Sequence, residues 1–322
     1  MLTEVAPRTR ILLAYCLTGG DKFVRRMRKS ISLQKSADEL VDSDDVFDSV
    51  LITDQSEIPT DITVMFGGRV IRTDPFHHDI EAERRYFCLA KFRNVSIDYA
   101  VSNDYDWMML CDSDTVVLRK SFKMPETCYG VPQVYWQRHE AEGVSESLSN
   151  IQTLADPFSH GNSWFILGRT LLERFRFNEQ IYGYGYEDRE FDERVLASGY
   201  HLKKTSLTVI HAYHPHEDRN IDSLSERRNR SIFEATKCLL SLGLRFDHSP
   251  RVKMISATHP DWKSNLFLFT DLKHVYHEAN GSIGTFMLRE DELTIQWKDF
   301  PIEHFFFDGS IFVSERIPRS GH

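Results

Sequence analysis

Short apolar runs alternate with amphipathic stretches along the first two thirds of the chain. Residues 10–17 are nearly all apolar and stop on Thr18, Gly19, Gly20 and Asp21, as a strand covered on both faces would. Phe23, Met27 and Ile31 then recur at helical spacing, with Arg25, Arg26, Arg28 and Lys29 between them on a solvated face. Residues 50–54, 64–66 and 70–71 read as further strands, and 81–98 as a helix that leads to the buried run 107–110. This alternation predicts a doubly wound α/β sheet, Rossmann-like and mostly parallel, flanked by helices. Residues 116–118, 131–136, 164–167 and 207–211 add strands, 171–175 a helical turn, and 187–196 and 225–244 helices. Residues 141–157 are polar and serine-rich, the composition of a lid or of a plain loop.

The pattern changes near residues 246–250. Beyond them, 286–288, 293–297, 305–307 and 311–313 alternate in strand fashion between turns at Asn280-Gly281, Glu290-Asp291 and Asp308-Gly309. The expected organisation is a larger α/β unit over residues 1–248 and a small antiparallel β unit over 249–322. No chemical constellation is visible in the second.

With 322 residues, 41% of them hydrophobic and 27% charged, the composition is that of a globular protein with a sizeable core. The formal net charge of −9 argues against a general nucleic-acid binder, which needs clustered Lys and Arg. Five cysteines (Cys16, Cys88, Cys111, Cys128 and Cys238) are widely spaced with no Cys-x-x-Cys pair, so reduced thiols in a cytoplasmic setting are the simplest expectation. No run of 18 apolar residues occurs, so no transmembrane segment is expected and any membrane contact would be peripheral.

Candidate chemistry gathers where the apolar runs end. Residues 107–111 run into Asp112-Ser113-Asp114, two carboxylates one residue apart at a strand's C-terminal end, where open α/β sheets hold ligands. Hard oxygen ligands on a tight turn suit Mg²⁺ or Mn²⁺ together with substrate phosphates; a plain polar turn accounts for the same residues. Asp54 ends another strand, the position of a ribose-binding carboxylate or of an ordinary turn residue. His211, His214 and His216 follow the strand over 207–211, and any of them could add a nitrogen ligand. The segment Tyr182-Gly183-Tyr184-Gly185-Tyr186-Glu187-Asp188 cannot be helix interior until Glu187. Acidic residues favour a helix N-terminus for electrostatic reasons alone, but that does not explain the glycine-aromatic run before them. Tyr184, Tyr186, Trp164 and Trp136 offer apolar faces to a sugar ring, or simply belong to the core.

Taken together, these stretches resemble a glycosyltransferase of the GT-A fold. They are similar to inverting family-two transferases and, around Gly183 to Asp188, to β-1,4-galactosyltransferase and chondroitin-polymerase domains. The resemblance spans residues 11–216, in the family's order: the first strand with Tyr15, Asp54, Arg93-Asn94, Asp112-Ser113-Asp114, His160-Gly161-Asn162, Gly183 to Asp188, and the late histidines. It implies a nucleotide-sugar donor, a UDP-sugar, held by Tyr15, Asp54, Arg93, Asn94, Asp112 and Asp114. It also implies a Mn²⁺ or Mg²⁺ ion on Asp112, Asp114 and His211. Asp188 would be the general base with Glu187 beside it, and His160, Asn162, Trp164, Gly185 and Tyr186 would contact substrate. The pattern resembled has Gly-Gly where this chain has His160-Gly161, and Gly where it has Tyr186. The implied activity is metal-dependent transfer of a hexose to a glycan or glycolipid hydroxyl, in surface polysaccharide synthesis by family habit. The chemistry agrees: the leaving diphosphate needs its charge neutralised, and a hydroxyl nucleophile needs a carboxylate base. A nucleotidyltransferase or other nucleotide-sugar-processing enzyme would share Asp112 and Asp114 but has no need of Gly183 to Asp188. A non-catalytic sugar-binding module on the same fold is the third reading.

Overall fold

The structure is a computed structural model and describes residues 9–18, 20–38, 46–79, 84–118, 128–137, 151–153, 164–183, 185–212, 223–248 and 250–314. The first half comprises β1 (Arg10–Leu17), α1 (Asp21–Asp38), β2 (Val46–Thr53), α2 (Thr60–Met65), β3 (Val70–Arg72), β4 (Phe76–Asp79), β5 (Arg84–Phe87), α3 (Leu89–Ser102) and β6 (Trp107–Cys111). Then follow β7 (Thr115–Leu118), β8 (Tyr129–Gln137), β9 (Ile151–Thr153), β10 (Ile166–Gly168), α4 (Arg169–Arg174), α5 (Glu187–Ala197), β11 (Lys203–His211) and α6 (Ser223–Ser241). The last part is all β: β12 (Val252–His259), β13 (Trp262–Phe269), β14 (His274–His277), β15 (Ile283–Arg289), β16 (Glu292–Trp297), β17 (Ile302–Phe307) and β18 (Phe312–Val313).

A nine-stranded sheet runs in the order β3-β2-β1-β6-β10-β8-β11-β7, with β9 beside β8. β1, β2, β3, β6, β8 and β11 point one way, and β7, β9 and β10 run against them. Alternation along the inner strands fills both faces. Leu12, Ala14, Met108 and Leu110 join the core under α3 and α4, while Ile11, Leu13, Tyr15, Met109 and Cys111 join the core under α1 and α2. Three strands separate β6 from β7 in the sheet, a step of roughly 19 Å if the sheet were flat. Only Asp112 to Asp114 join them, and the four residue-to-residue steps from Cys111 to Thr115 reach roughly 14 Å at most when extended. The sheet must therefore curl, and the turn at its fold carries the two carboxylates.

Two local expectations are corrected. Residues 64–66 are not a strand: α2 spans Thr60–Met65, because Ile62 and Phe66 stand one helical turn apart and are buried while Val64 points to solvent. The helix expected over 81–98 starts only at Leu89; Arg84–Phe87 pairs with β4 as a hairpin that packs Phe87 on Phe92, and residues 81–83 lie outside the described ones.

The C-terminal unit is more than the small antiparallel arrangement expected. Consecutive strands pair antiparallel from β12 to β18, and then β18 pairs parallel with β12, closing a seven-stranded barrel. Closure removes the sheet edges that an open unit would expose. Ile255, Leu266, Leu268, Val275, Leu293, Ile295 and Phe305 fill the interior. The barrel shares a second apolar cluster with the sheet region, where Phe267, Phe269 and Tyr276 meet Ile232, Ala235 and Leu239 of α6 and Ile181. Gln180 adds polar ties, its Oε1 accepting from Val252 N at 2.7 Å and its Nε2 donating to Pro250 O at 3.2 Å. No helix among the described residues is long and apolar enough to cross a membrane.

Candidate active site

Strand direction decides where the site lies. β1, β2, β6 and β11 end on the same side of the sheet, bringing up Tyr15 and Cys16, Asp54, Asp112 and His211. The turn after β6 is tied by its own atoms: Asp112 N donates to Thr115 Oγ1 at 3.0 Å and Thr115 N to Asp112 O at 3.0 Å. β7 then runs along β11 with Thr115 opposite His211. That register sets His211 Nε2 3.6 Å from Asp114 Oδ2, both side chains nearly buried. The indole of Trp164 donates to Thr115 Oγ1 at 2.8 Å and stands edge-on to His211, 5.6 Å between ring centres. Trp164 is thus buried behind this pair, where it braces the turn.

The second half of the site is the start of α5. Gly183 (φ 82°) and Gly185 (φ 78°) adopt left-handed backbone, and so does Tyr186 (φ 75°) immediately before the helix. For a tyrosine this is a strained conformation, of about 1–2 kcal/mol. It is held by the Tyr186 hydroxyl, which accepts from Arg230 Nε at 2.8 Å, and by packing on Phe233. Buried Asn229 fixes the same loop, donating to Tyr182 O at 2.9 Å and Gly185 O at 3.2 Å. Glu187 and Asp188 then open the helix, where carboxylates complement its dipole.

Arg93 of α3, 2% exposed, joins the two halves. Its Nη1 donates to Asp188 Oδ1 in a very short contact and lies 3.5 Å from Glu187 Oε1. Burial works against its charge, and the Asp188, Glu187 and Asp112 carboxylates outweigh that, holding the guanidinium charged. Burial pushes the Asp188 carboxyl above the usual range; Arg93 opposes the rise while Glu187 and Asp112 add to it. The Cys16 thiol is pushed up to about 12 by burial and by Asp112, so it is no nucleophile. Asp112 is thus a common neighbour of Cys16, Arg93 and Asp188, which are far apart in sequence.

Asn94 turns elsewhere. Its Nδ2 donates to Phe177 O (3.0 Å) and Glu179 Oε1 (2.8 Å), and its Oδ1 accepts from Phe177 N (2.8 Å), so it clamps the segment before the glycine-aromatic loop. Tyr15 is buried against Phe66. Gly185 and Tyr186 are partly exposed beside Glu187. His160, Asn162, His214, His216 and Tyr184 lie outside the described residues, as does most of 141–157, of which 151–153 form β9. Thr115 and Asn229 escaped the sequence reading: a lone Thr after Asp114 and an Asn inside a helix carry no signal until their partners are known.

Asp114 and His211 are too far apart for a hydrogen bond and close enough to bind one ion between them. Among the described residues no three His, Cys, Asp or Glu side chains gather into a metal cage. Mg²⁺ and Mn²⁺ sites of the kind that use one or two protein ligands with substrate phosphates need no such cage. All five cysteines are free thiols.

No protein-family profile matches the chain, and no curated protein matches it by sequence. Among solved structures it is similar to a Drosophila β-1,4-galactosyltransferase 7 mutant in complex with manganese, UDP-Gal and xylobiose, at 13% identity over 76% of this chain and 86% of that one, TM-score 0.42. A 4-diphosphocytidyl-2C-methyl-D-erythritol synthase follows at 9% identity, 71% and 99% coverage and TM-score 0.32. A glycosyltransferase involved in the glycosylation of the major capsid of PBCV-1 overlaps at 13% identity, 51% and 62% coverage and TM-score 0.23. Overlaps this loose decide neither fold nor chemistry, which rest on the side chains above.

Proposed function

We propose that the protein is an inverting glycosyltransferase that moves a sugar from a UDP-sugar to a hydroxyl of a glycan or glycolipid. The observation that carries this reading is the buried ion pair of Arg93 with Asp188 at the start of α5, within electrostatic reach of Asp112 at the end of the sheet. Single displacement needs a carboxylate base on one side of the reacting carbon and charge neutralisation on the other. Asp188 takes the proton of the acceptor hydroxyl as that oxygen bonds to the anomeric carbon, and the departing diphosphate keeps the electron pair of the broken C–O bond. A carboxyl raised above the usual range is a stronger base than an exposed one, which suits it to a hydroxyl. Arg93 orients it, and Glu187 shares the guanidinium. Asp114 and His211 would hold Mn²⁺ or Mg²⁺ together with the substrate phosphates, with Asp112 beside them at the strand end and outside a three-ligand set; the ion when bound neutralises the diphosphate charge. Asp54 follows the end of β2, where the nucleoside would sit, while Tyr15 is buried beneath that rim, and Gly185 and Tyr186 would border the acceptor side.

Calorimetric titration with UDP, with and without Mn²⁺, tests the reading. Binding that requires Mn²⁺ and disappears in Asp114→Asn is the expected result. Absence of UDP binding under both conditions would overturn the UDP-sugar assignment, and Mn²⁺-dependent binding of CTP in its place would favour nucleotidyl transfer.

A further inference from the structure

We propose that the mouth of the C-terminal barrel is a second saccharide-binding site, separate from the sheet-end site and independent of the activity assigned there. Antiparallel order brings the end of β12, the start of β13, the ends of β14 and β16 and the start of β17 to the same rim. His259, Trp262, His277, Trp297 and Glu303 come from those five positions and line a cavity of about 210 Å³, with Phe300 at its lip. Barrel mouths are a recurrent place for small-molecule sites.

The side chains are arranged, not merely adjacent. Trp297 Nε1 donates to Glu303 Oε2 at 2.8 Å, which leaves Glu303 Oε1 beside His259 Nε2 at 3.7 Å. His259 stacks on Trp262, ring centres 5.5 Å apart, and His277 stands edge-on to Trp262 at 4.4 Å. His277 is 3% exposed, and its Nδ1 accepts from Asn280 N at 3.3 Å. In the neutral ring the proton therefore resides on Nε2, and that atom has no hydrogen-bond partner among the described residues. A buried donor without a partner costs about 1–3 kcal/mol, so a ligand hydroxyl that reached this ring through the cavity wall would offset that cost.

The mixture of groups selects the ligand class. Aromatic faces at Trp262 and Phe300 suit the apolar face of a pyranose. The donor on His277 and the acceptors on Glu303 and Asp261 suit hydroxyls, which both give and take hydrogen bonds. A purely apolar ligand would leave these groups unpaired. A phosphate would meet the two carboxylates. A methylated ammonium would use the rings and carboxylates but offer nothing to the His277 donor. A groove of about 310 Å³ against the end of α6 shares Asn280, Ser282 and Phe300 with the cavity, so a ligand longer than one sugar has a second recess beside it.

The test uses the full chain and needs no nucleotide. A printed array of neutral pyranose oligosaccharides is probed first, and the best binder is then titrated against the tryptophan fluorescence of the protein, with tetramethylammonium as the cationic control. The expected result is saturable binding of an oligosaccharide that weakens about tenfold or more in Phe300→Ala and Glu303→Gln. Phe300 is half exposed, so its loss leaves the core intact; Gln at 303 still accepts from Trp297 while losing the charge. Mn²⁺-dependent UDP binding is unchanged in Phe300→Ala, which separates failure here from failure of the transferase reading. Absence of oligosaccharide binding, binding indifferent to both variants, or a response to tetramethylammonium alone would each overturn the proposal.

Discussion

At the end of the sheet, the groups proposed to react are carboxylates supplied in pairs, Asp112 and Asp114 by the turn after β6 and Glu187 and Asp188 by the start of α5. At the mouth of the barrel they are four aromatic and imidazole rings supplied singly by four strands, with one carboxylate, Glu303, from a fifth. The sheet site is therefore set by local backbone: a curled sheet, a left-handed residue before a helix, and one buried arginine that joins the halves. The barrel site exists only if closure and register are right, because no two of its rings are held by the same turn except His259 and Trp262. Damage to either should stay on its own side wherever the two regions are independent, and spread where they share a support.

The largest separation is expected from Asp188→Asn. Removing a general base costs about 10²–10⁴-fold in rate, read as sugar transfer or UDP release at saturating donor. UDP affinity and saccharide binding at the barrel should stay near wild type. Equal losses in kcat and in UDP binding would mean that Asp188 shapes the donor site and performs no proton transfer.

Glu190→Ala breaks the comparison instead. Glu190 and Arg194 form a fully buried pair on α5, at 2.9 Å, and Arg194 also donates to Arg176 O at 2.7 Å and to Asp247 O at 2.8 Å, at the junction with the barrel. Stranding that guanidinium costs about 3–5 kcal/mol, measurable by urea unfolding monitored at both regions. A single shared transition at lower urea is expected, since the support is common. Gly284→Ala sharpens the contrast again: a Cβ there would sit 2.6 Å from Gln296 O and 3.0 Å from the Trp297 ring. Such overpacking costs about 1–3 kcal/mol and displaces Trp297, so saccharide binding should fall while UDP binding remains.

The same contrast explains what could be read from the chain. Asp112 and Asp114 are one residue apart where an apolar run stops, and Glu187 and Asp188 are adjacent after a glycine-aromatic run, so a strand end and a helix start could be read around them. The curl that brings Thr115 opposite His211, and the turning of Asn94 onto Phe177, depend on pairing between distant segments. In the barrel, β12, β13 and β14 passed unread and the closing pair of β18 with β12 has no local mark at all, so five mouth residues spread from His259 to Glu303 looked like nothing in particular.

Tyr186 gives a smaller and sharper effect. Its left-handed backbone is one that glycine adopts freely and tyrosine does not. Tyr186→Gly and Tyr186→Ala both lose the contacts to Arg230 and Phe233, so the difference between them isolates the backbone cost. The glycine variant should be the more stable by about 1 kcal/mol; equal stability would mean that the loop relaxes out of the left-handed region.

The smallest effect is a pH dependence confined to the barrel. Burial lowers the pKa of His277, while Glu303, the Asn280 contact and Glu278 pull it back up; His259 and Asp261 line the same cavity. Below an ordinary imidazole value of about 6.5 the unfolded chain takes up a proton that the folded barrel resists. The stabilisation from neutral His277 is therefore complete above that pH and is lost as pH falls through the lowered folded value. Melting temperatures taken between about pH 7 and 5 should fall less steeply in His277→Gln than in wild type. A bound oligosaccharide should steepen the wild-type decline, because Asn280 N loses its acceptor on Nδ1 once the ring is protonated and the cavity is reshaped. Parallel curves for the two proteins would place the pH response outside the barrel mouth and remove the reason for a neutral, donating imidazole there.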